Sequence, residues 1–113
     1  MENALVANPR IDAVFAIDDE MALGALQAIK EAGRTDIKYL TGAGGNSEFF
    51  ETIMQEDEIE MATFLYSPKM IQDAIEVAIQ IVNNENVPQV TTIPADRVDR
   101  SNADEYFVEG APY

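Results

Sequence analysis

Short apolar runs alternate along the chain with longer segments in which apolar residues recur every three to four positions. The runs at residues 13–17, 37–41 and 61–66 have the length and the β-branched or aromatic content of buried strands. A fourth run at 90–93 precedes Pro94. The first run is apolar throughout, which predicts a strand covered on both faces. The alternation as a whole predicts an α/β fold with a parallel sheet, right-handed crossovers and helices on both faces of the sheet.

The segments between these runs carry the signals that begin and end helices. Carboxylates at Asp18, Asp19 and Glu20 lie where a helix begins, since they accept from its free N–H groups and favour its dipole. Gly33 is typical of a left-handed helix end, and Pro68 suits the first position of a helix because it lacks an N–H. The predicted helices are residues 2–8, 19–32, a segment capped by Asn46 or Ser47 that buries Phe49, Phe50, Ile53 and Met54, residues 68–82, and a short helix at 101–107.

Composition narrows the functional classes. The chain has 113 residues, 47% of them hydrophobic, which is typical of one globular domain or a piece of one. Seven basic residues against 21 acidic ones give a net charge of −14, so nucleic acid and anionic membranes are not expected partners. The chain has no His and no Cys, which excludes disulfides, thiolate chemistry, Cys/His zinc sites and imidazole catalysis. No apolar run is long enough to cross a bilayer, and no signal peptide is expected at the N-terminus. Residues 95–113 are expected to form a polar tail.

Candidate binding residues follow the predicted strands. In an open parallel sheet, ligands bind outside the carboxyl ends of the strands. Asp18 and Asp19 follow the first strand, the glycine-rich turn 42–46 follows the second, and Tyr66 ends the third. We expect these residues to line one edge of the sheet. One acid suffices to cap the helix, and the other is then free to accept hydrogen bonds from the hydroxyl groups of a sugar.

Other interpretations of the same residues stay open at this point. The turn Gly-Ala-Gly-Gly-Asn-Ser is a tight strand-to-helix connection, a phosphate nest, or a place where small residues leave room for a ligand. Asp18 and Asp19 could serve as the acid or base of a hydrolase, or could bind a metal together with Asn46. Adjacent residues at a helix start point in different directions and cannot flank a scissile bond. We therefore expect no enzymatic activity, no cofactor and no metal.

One segment carries a specific family resemblance. Residues 11–26 read Ile-Asp-Ala-Val-Phe-Ala-Ile-Asp-Asp-Glu-Met-Ala-Leu-Gly-Ala-Leu. This order closely resembles the C-terminal lobe of ribose-type periplasmic sugar-binding proteins, the type I solute receptors of ABC transporters. The resemblance continues through residues 32–34, the glycine-rich turn, residues 62–63 and the helix start at 67–71, and it weakens after about residue 95.

The resemblance implies roles for individual positions. Asp18 corresponds to an Asn that holds sugar hydroxyls in that family, and Asp19 to the helix-start Asp. Gly44 replaces a sugar-binding Asp, and Tyr66 lies near a cleft-lining Gln, so a ligand other than ribose is expected. The glycine-rich turn also resembles that of autoinducer-2 receptors, with Ala43 in place of their aromatic residue. The implied ligand-binding residues are Asp18, Asp19, Ala43, Gly44, Asn46 and Tyr66.

The resemblance also implies a function and an architecture. Residues 1–113 would be the C-terminal part of a Rossmann-like, two-lobed sugar-binding domain whose first lobe is absent. Its expected role is solute binding for an ABC transport system, with an ABC permease as partner and a periplasmic or extracellular location, with or without a lipid anchor, for the full-length parent. Sugar-responsive repressors share this lobe, so the effector domain of a transcriptional regulator is the alternative, and a small α/β enzyme is a third.

The predicted helix 68–82 has the strongest helical periodicity in the chain. In the resembling family its apolar face packs against the other lobe, which this chain would not contain. An uncovered apolar face is unfavourable in water. The helix is therefore expected to fold back onto the chain or to pack against a second copy, and we predict a homodimer. The residues of this face are Ile71, Ala74, Ile75, Ala78, Ile79 and Val82.

Overall fold

A computed structural model of the chain describes residues 1–67 and 69–110. The predicted α/β class is confirmed, and the first three strands overlap the predicted runs, with ends that differ by at most two residues. Pro68, predicted to open a helix, and residues 111–113 lie outside the described residues. The elements in chain order are α1 (Glu2–Ala7), β1 (Ala13–Phe15), α2 (Asp19–Glu31), β2 (Tyr39–Thr41), α3 (Ser47–Gln55), β3 (Glu60–Leu65), α4 (Met70–Val82), β4 (Asp96–Asp99) and α5 (Ala103–Tyr106).

The sheet is mixed, with the strand order β1-β2-β3-β4. β1, β2 and β3 run parallel, whereas β4 pairs antiparallel with β3 and places Val98 opposite Thr63. The prediction of a fourth strand at 90–93 is wrong, and Val90 is 80% exposed. The segment predicted to be a polar tail contains the predicted short helix as α5, and it also contains β4, which was not predicted. Its strand was missed because Val98 is the only buried residue among four that are otherwise charged.

The core lies on one face of the sheet. Leu40, Met61, Thr63 and Val98 share this face and are buried. Helices α2 and α3 pack against them, and one cluster of buried residues joins the helices to the sheet. The opposite face of the described sheet exposes apolar side chains, so the predicted cover of both faces is present on one face only. The exposed side chains on that face are Phe15, Tyr39 and Phe64.

Helix α4 confirms the predicted helical pattern but has no buried apolar face in the described chain. None of its residues is buried, and Ile71, Ile75 and Ile79 are each more than half exposed. The radius of gyration is 18.0 Å, whereas a compact domain of this length has about 13 Å. Helix α4 and its connections therefore extend away from the core. None of the described helices combines the length and apolar character needed to cross a membrane.

An ion pair after α2 joins distant parts of the chain. Arg34 donates to Asp36 through two nitrogens at 2.7 Å and also donates to the Leu5 carbonyl at 2.8 Å. The Ile11 N–H donates to the same carboxylate at 2.7 Å. The Arg34 hydrogen bonds, and then that of Ile11, hold the pKa of Asp36 well below its ordinary range. Asp36 thus connects the end of α1 and the start of β1 to the end of α2.

Acid titration should reveal this contribution. A carboxyl group whose folded-state pKa is depressed stabilises the fold fully above its unfolded pKa of about 3.9, and the stabilisation is lost as the pH falls from there. Asp36→Asn should therefore lower the urea midpoint at neutral pH, and its difference from the native chain should narrow below about pH 4. The other carboxylates are present in both proteins. Their effect on the urea midpoint is therefore the same in both, and the difference between the two midpoints reports Asp36. A difference that stays constant down to about pH 2 would contradict the assignment.

Candidate functional site

A cavity of about 380 Å³ opens at the carboxyl edge of β1, β2 and β3. The structure brings all six predicted ligand-binding residues together around it. Sequence reasoning placed Gly45 at this edge without naming it as a ligand-binding residue, and it missed Glu20 and Leu65, although both directly adjoin predicted site residues. The cavity is lined by Asp18, Asp19, Glu20, Ala43, Gly44, Gly45, Asn46, Leu65 and Tyr66.

Asp18 is the N-cap of α2. Its Oδ1 accepts from the Met21 N–H at 2.7 Å, as predicted for one of the two acids. The side chain is partly buried at the cavity wall. Within residues 1–67 and 69–110, its Oδ2 makes no hydrogen bond. One oxygen therefore holds the helix while the other is free to accept from a ligand.

Asp19 anchors the glycine-rich turn. It is fully buried, and its Oδ2 accepts from the Gly45 and Asn46 N–H groups, both at 2.8 Å. Its own N–H donates to the Ala43 carbonyl at 3.1 Å. The Oδ1 atom is buried and has no hydrogen-bond partner among the described residues. Its position is fixed by contacts across 26 residues of chain, which the prediction of a hydroxyl-accepting acid did not anticipate.

The glycines of the turn are required by close packing, which confirms the tight-turn interpretation. A Cβ at Gly42 would overlap Asp19 Oδ1, and one at Gly45 would overlap Leu65 Cδ1. Gly45 also has a φ of 93°, which L side chains rarely adopt. The N–H groups that would make a phosphate nest are already directed at the carboxylate of Asp19. The anion that these N–H groups bind is the carboxylate of Asp19 itself, so the interpretation of the turn as a phosphate site is not supported.

Asn46 joins the starts of two helices. Its Oδ1 accepts from the Glu48 N–H at 2.8 Å and the Phe49 N–H at 3.3 Å, which makes it the N-cap of α3. Its Nδ2 donates to Glu20 Oε1 at 2.9 Å. These bonds occupy the amide that was predicted to contact a ligand or a metal. Among the residues that the structure describes, no group of three or more Asp or Glu side chains is placed to hold a metal ion.

Tyr66 and Leu65 form the wall contributed by the end of β3. Tyr66 is 52% exposed and lines the cavity next to the turn. The turn is held to this strand because the Gly44 N–H donates to the Phe64 carbonyl at 3.1 Å. An aromatic ring with a hydroxyl group therefore belongs to the same cavity as the carboxylates at the start of α2. Such a cavity can accept hydrogen bonds from hydroxyl groups and can pack an apolar surface.

Comparison with known proteins identifies relatives with the same fold. Residues 1–86 match the periplasmic binding protein domain family. The chain is 40% identical over 95 residues to the ribose import binding protein of Bacillus subtilis, covering 83% of this chain and 30% of that protein. It superposes with a TM-score of 0.78 and 35% identity on an ABC transporter solute binding protein from Mycobacterium smegmatis with bound glycerol, covering 92% of this chain and 36% of that one.

A second solved structure agrees with the first. The periplasmic solute binding protein of an ABC transporter from Actinobacillus succinogenes, with bound D-allose, gives a TM-score of 0.76 at 31% identity over 93% of this chain and 37% of that chain. The chain spans about a third of the length of these proteins. The resemblance to ribose-type sugar-binding proteins is confirmed by both sequence and structure. The chain belongs to the periplasmic binding protein family.

Proposed function

We propose that this chain is part of the solute-binding component of an ABC transport system and that the cavity is one half of a site for a sugar or a similar polyhydroxylated ligand. The observation that carries the proposal is the gathering of Asp18, Tyr66 and the glycine-rich turn around one cavity at the carboxyl edge of the sheet. The ribose, D-allose and glycerol named for the related proteins support this ligand class. An ABC permease partner and a periplasmic or extracellular location belong to the same proposal.

Each side of the cavity would make a different contact. Asp18 Oδ2 would accept from a ligand hydroxyl, since charged acceptors make stronger hydrogen bonds than neutral ones. The Tyr66 ring would cover an apolar face of the ligand, and its hydroxyl would exchange hydrogen bonds with it. Ala43 and Gly44 would leave space because their side chains are small or absent. Asp19 and Asn46 line the cavity and hold its shape, and no bond in the ligand is broken.

Titration of the chain with sugars tests this proposal. One lobe leaves one side of a ligand in water, so D-ribose, D-allose and glycerol should bind with a Kd of about 1 mM or weaker. Amide NMR spectra should shift at residues 18–20, 43–46 and 65–66 and not on the far side of α2. Shifts confined to other regions, or none at any sugar concentration, would contradict the proposal. Micromolar binding would show that the cavity is a complete site.

A matched pair of substitutions separates binding from capping. Asp18→Asn should keep α2 capped, because Asn caps a helix about as well as Asp. It should weaken sugar binding by about 1 kcal/mol or more, since it removes a charged acceptor. Asp12→Asn makes the same chemical change at an exposed acid outside the cavity and should leave affinity unchanged. Equal affinity of both variants would leave Asp18 as a cap alone.

A further inference from the structure

We infer that this half of the cleft selects a polyol that carries a cationic amine over the neutral polyol of the same shape, and disfavours anionic sugars. The inference rests on the proposed function and concerns the same cavity. Asp18, Asp19 and Glu20 all line it, and none of the seven Lys and Arg residues, all of which the structure describes, does so. The local charge on the cavity wall is therefore that of three carboxyl groups without a basic neighbour in the lining.

The basic residues of the chain are committed elsewhere. Five of the seven Lys and Arg residues form ion pairs with acids that do not line the cavity. The other two, Lys38 and Lys69, do not line it either. Within the described part of the chain, no carboxylate of the cavity takes part in an ion pair. The five pairs are Arg10–Asp12, Lys30–Glu56, Arg34–Asp36, Arg97–Asp99 and Arg100–Asp57.

The cavity carboxylates have hydrogen-bond capacity left. Asp18 uses Oδ1 for the helix cap, and Glu20 uses Oε1 to accept from Asn46, so one oxygen of each is unused within residues 1–67 and 69–110. Asp19 adds no position that a ligand can reach, because its Oδ1 is buried against Gly42. These free positions are all acceptors. A ligand must therefore supply donors, and an ammonium group supplies three together with the opposite charge.

The charge of the donor decides the preference. A hydrogen bond with one ionised group is roughly twice as strong as a neutral one, so Asp18 binds any hydroxyl well. An ammonium group adds a Coulomb attraction of about fivefold in affinity, or about 1 kcal/mol, at about 4 Å in water, and more where water is excluded, whereas like charges at a shared site repel. A carboxylate or phosphate on the sugar could accept from the Tyr66 hydroxyl but would be repelled by the carboxylates of the lining. A neutral sugar would bind through its hydroxyl groups, and an amine in place of one hydroxyl would add attraction to Asp18 and Glu20.

The test compares three sugars that differ at one position. NMR titration of the full chain at pH 6 and low salt would use D-glucose, D-glucosamine and D-glucuronate, with ethanolamine as an amine that lacks the sugar ring. D-glucosamine should bind at least tenfold tighter than D-glucose, about 1.4 kcal/mol. D-glucuronate should bind more weakly than D-glucose, and ethanolamine should not reproduce the tenfold gain. Raising the salt concentration should reduce the preference.

Two double variants show where the preference originates. Asp18→Asn with Glu20→Gln keeps an oxygen acceptor for the Met21 N–H and for Asn46 while removing two charges from the cavity. In this variant the affinity for D-glucosamine should exceed that for D-glucose by less than about threefold, which corresponds to about 0.7 kcal/mol. Asp12→Asn with Glu51→Gln removes two exposed charges elsewhere and should keep the tenfold ratio.

Several outcomes would overturn the inference. Equal binding of D-glucose and D-glucosamine would do so while leaving the proposed sugar-binding function intact. An equal loss of preference in both double variants would attribute the effect to the net charge of the chain. Failure of all four compounds to bind would reject the amine preference, and the titrations with D-ribose, D-allose and glycerol would judge the sugar-binding function separately.

Discussion

Asp19→Ala is expected to lower the free energy of unfolding by about 3 kcal/mol, because it leaves two backbone N–H donors of the turn without their acceptor. The donors are those of Gly45 and Asn46, each 2.8 Å from Asp19 Oδ2. A domain of this size has a total stability of about 5–15 kcal/mol, so the change is a large fraction of it. The amides of residues 42–46 should also shift in NMR spectra, since the turn loses its anchor.

Urea denaturation followed by circular dichroism measures this effect. Asp12→Ala is the control, because Asp12 is exposed and its side chain pairs, among the described residues, only with the exposed Arg10. An exposed pair of this kind contributes about 0–1 kcal/mol, so the control should unfold close to the native chain. If the two alanine variants differed by less than about 1 kcal/mol, the anchoring role of Asp19 would be rejected.

Two copies of the chain are expected to associate through α4. Its apolar side chains are uncovered in the described structure, with Ile71 62%, Ile75 54% and Ile79 55% exposed. Burying a few hundred Å² of such surface stabilises by several kcal/mol at ~25 cal/mol per Å². The net charge of −14 opposes association, but physiological salt screens that repulsion beyond about 8 Å. Exchange of an element between identical chains is a low-cost route to a two-fold dimer.

Light scattering coupled to size exclusion decides this point. The dimer would have twice the chain mass of 12.5 kDa. Ile79→Glu should return it to the monomer, since it puts a charge in the apolar face of α4. Gln80→Glu introduces the same charge at the next residue, about 100° around the helix, and should remain dimeric. If the native chain kept the monomer mass at every concentration from about 10 μM to 1 mM, the dimer would be rejected.

Local features were predictable because their causes are local. The capping of α2 by Asp18 depends on a bond to Met21 three residues away. The end of α2 after Glu31 depends on the left-handed φ of 62° at Gly33, just beyond the helix. The alternation of strands and helices follows from side-chain periodicity, and with it the edge of the sheet where the candidate residues lie. Sequence reasoning could therefore name six of the nine residues of the cavity.

Interactions between distant segments were not predictable in the same way. β4 has one inward-facing residue, Val98, and it joins the sheet only because β3 offers an edge more than thirty residues earlier in the chain. A pattern of one buried position in four carries no periodicity for sequence analysis to detect. The apolar run at 90–93 carries more hydrophobic residues and yet lies outside the sheet.

The sequence by itself determined the α/β class, the family resemblance and six of the nine residues that line the cavity. Only the tertiary structure decided which acid has which role. Both Asp18 and Asp19 suit a helix start, but the turn at Gly45 and Asn46 approaches Asp19 alone and uses its carboxylate as an internal anion. That choice depends on how two loops meet at the sheet edge. Pairing of backbone donors with a side chain 26 residues away is a property of the packed fold, because a buried N–H must find an acceptor there.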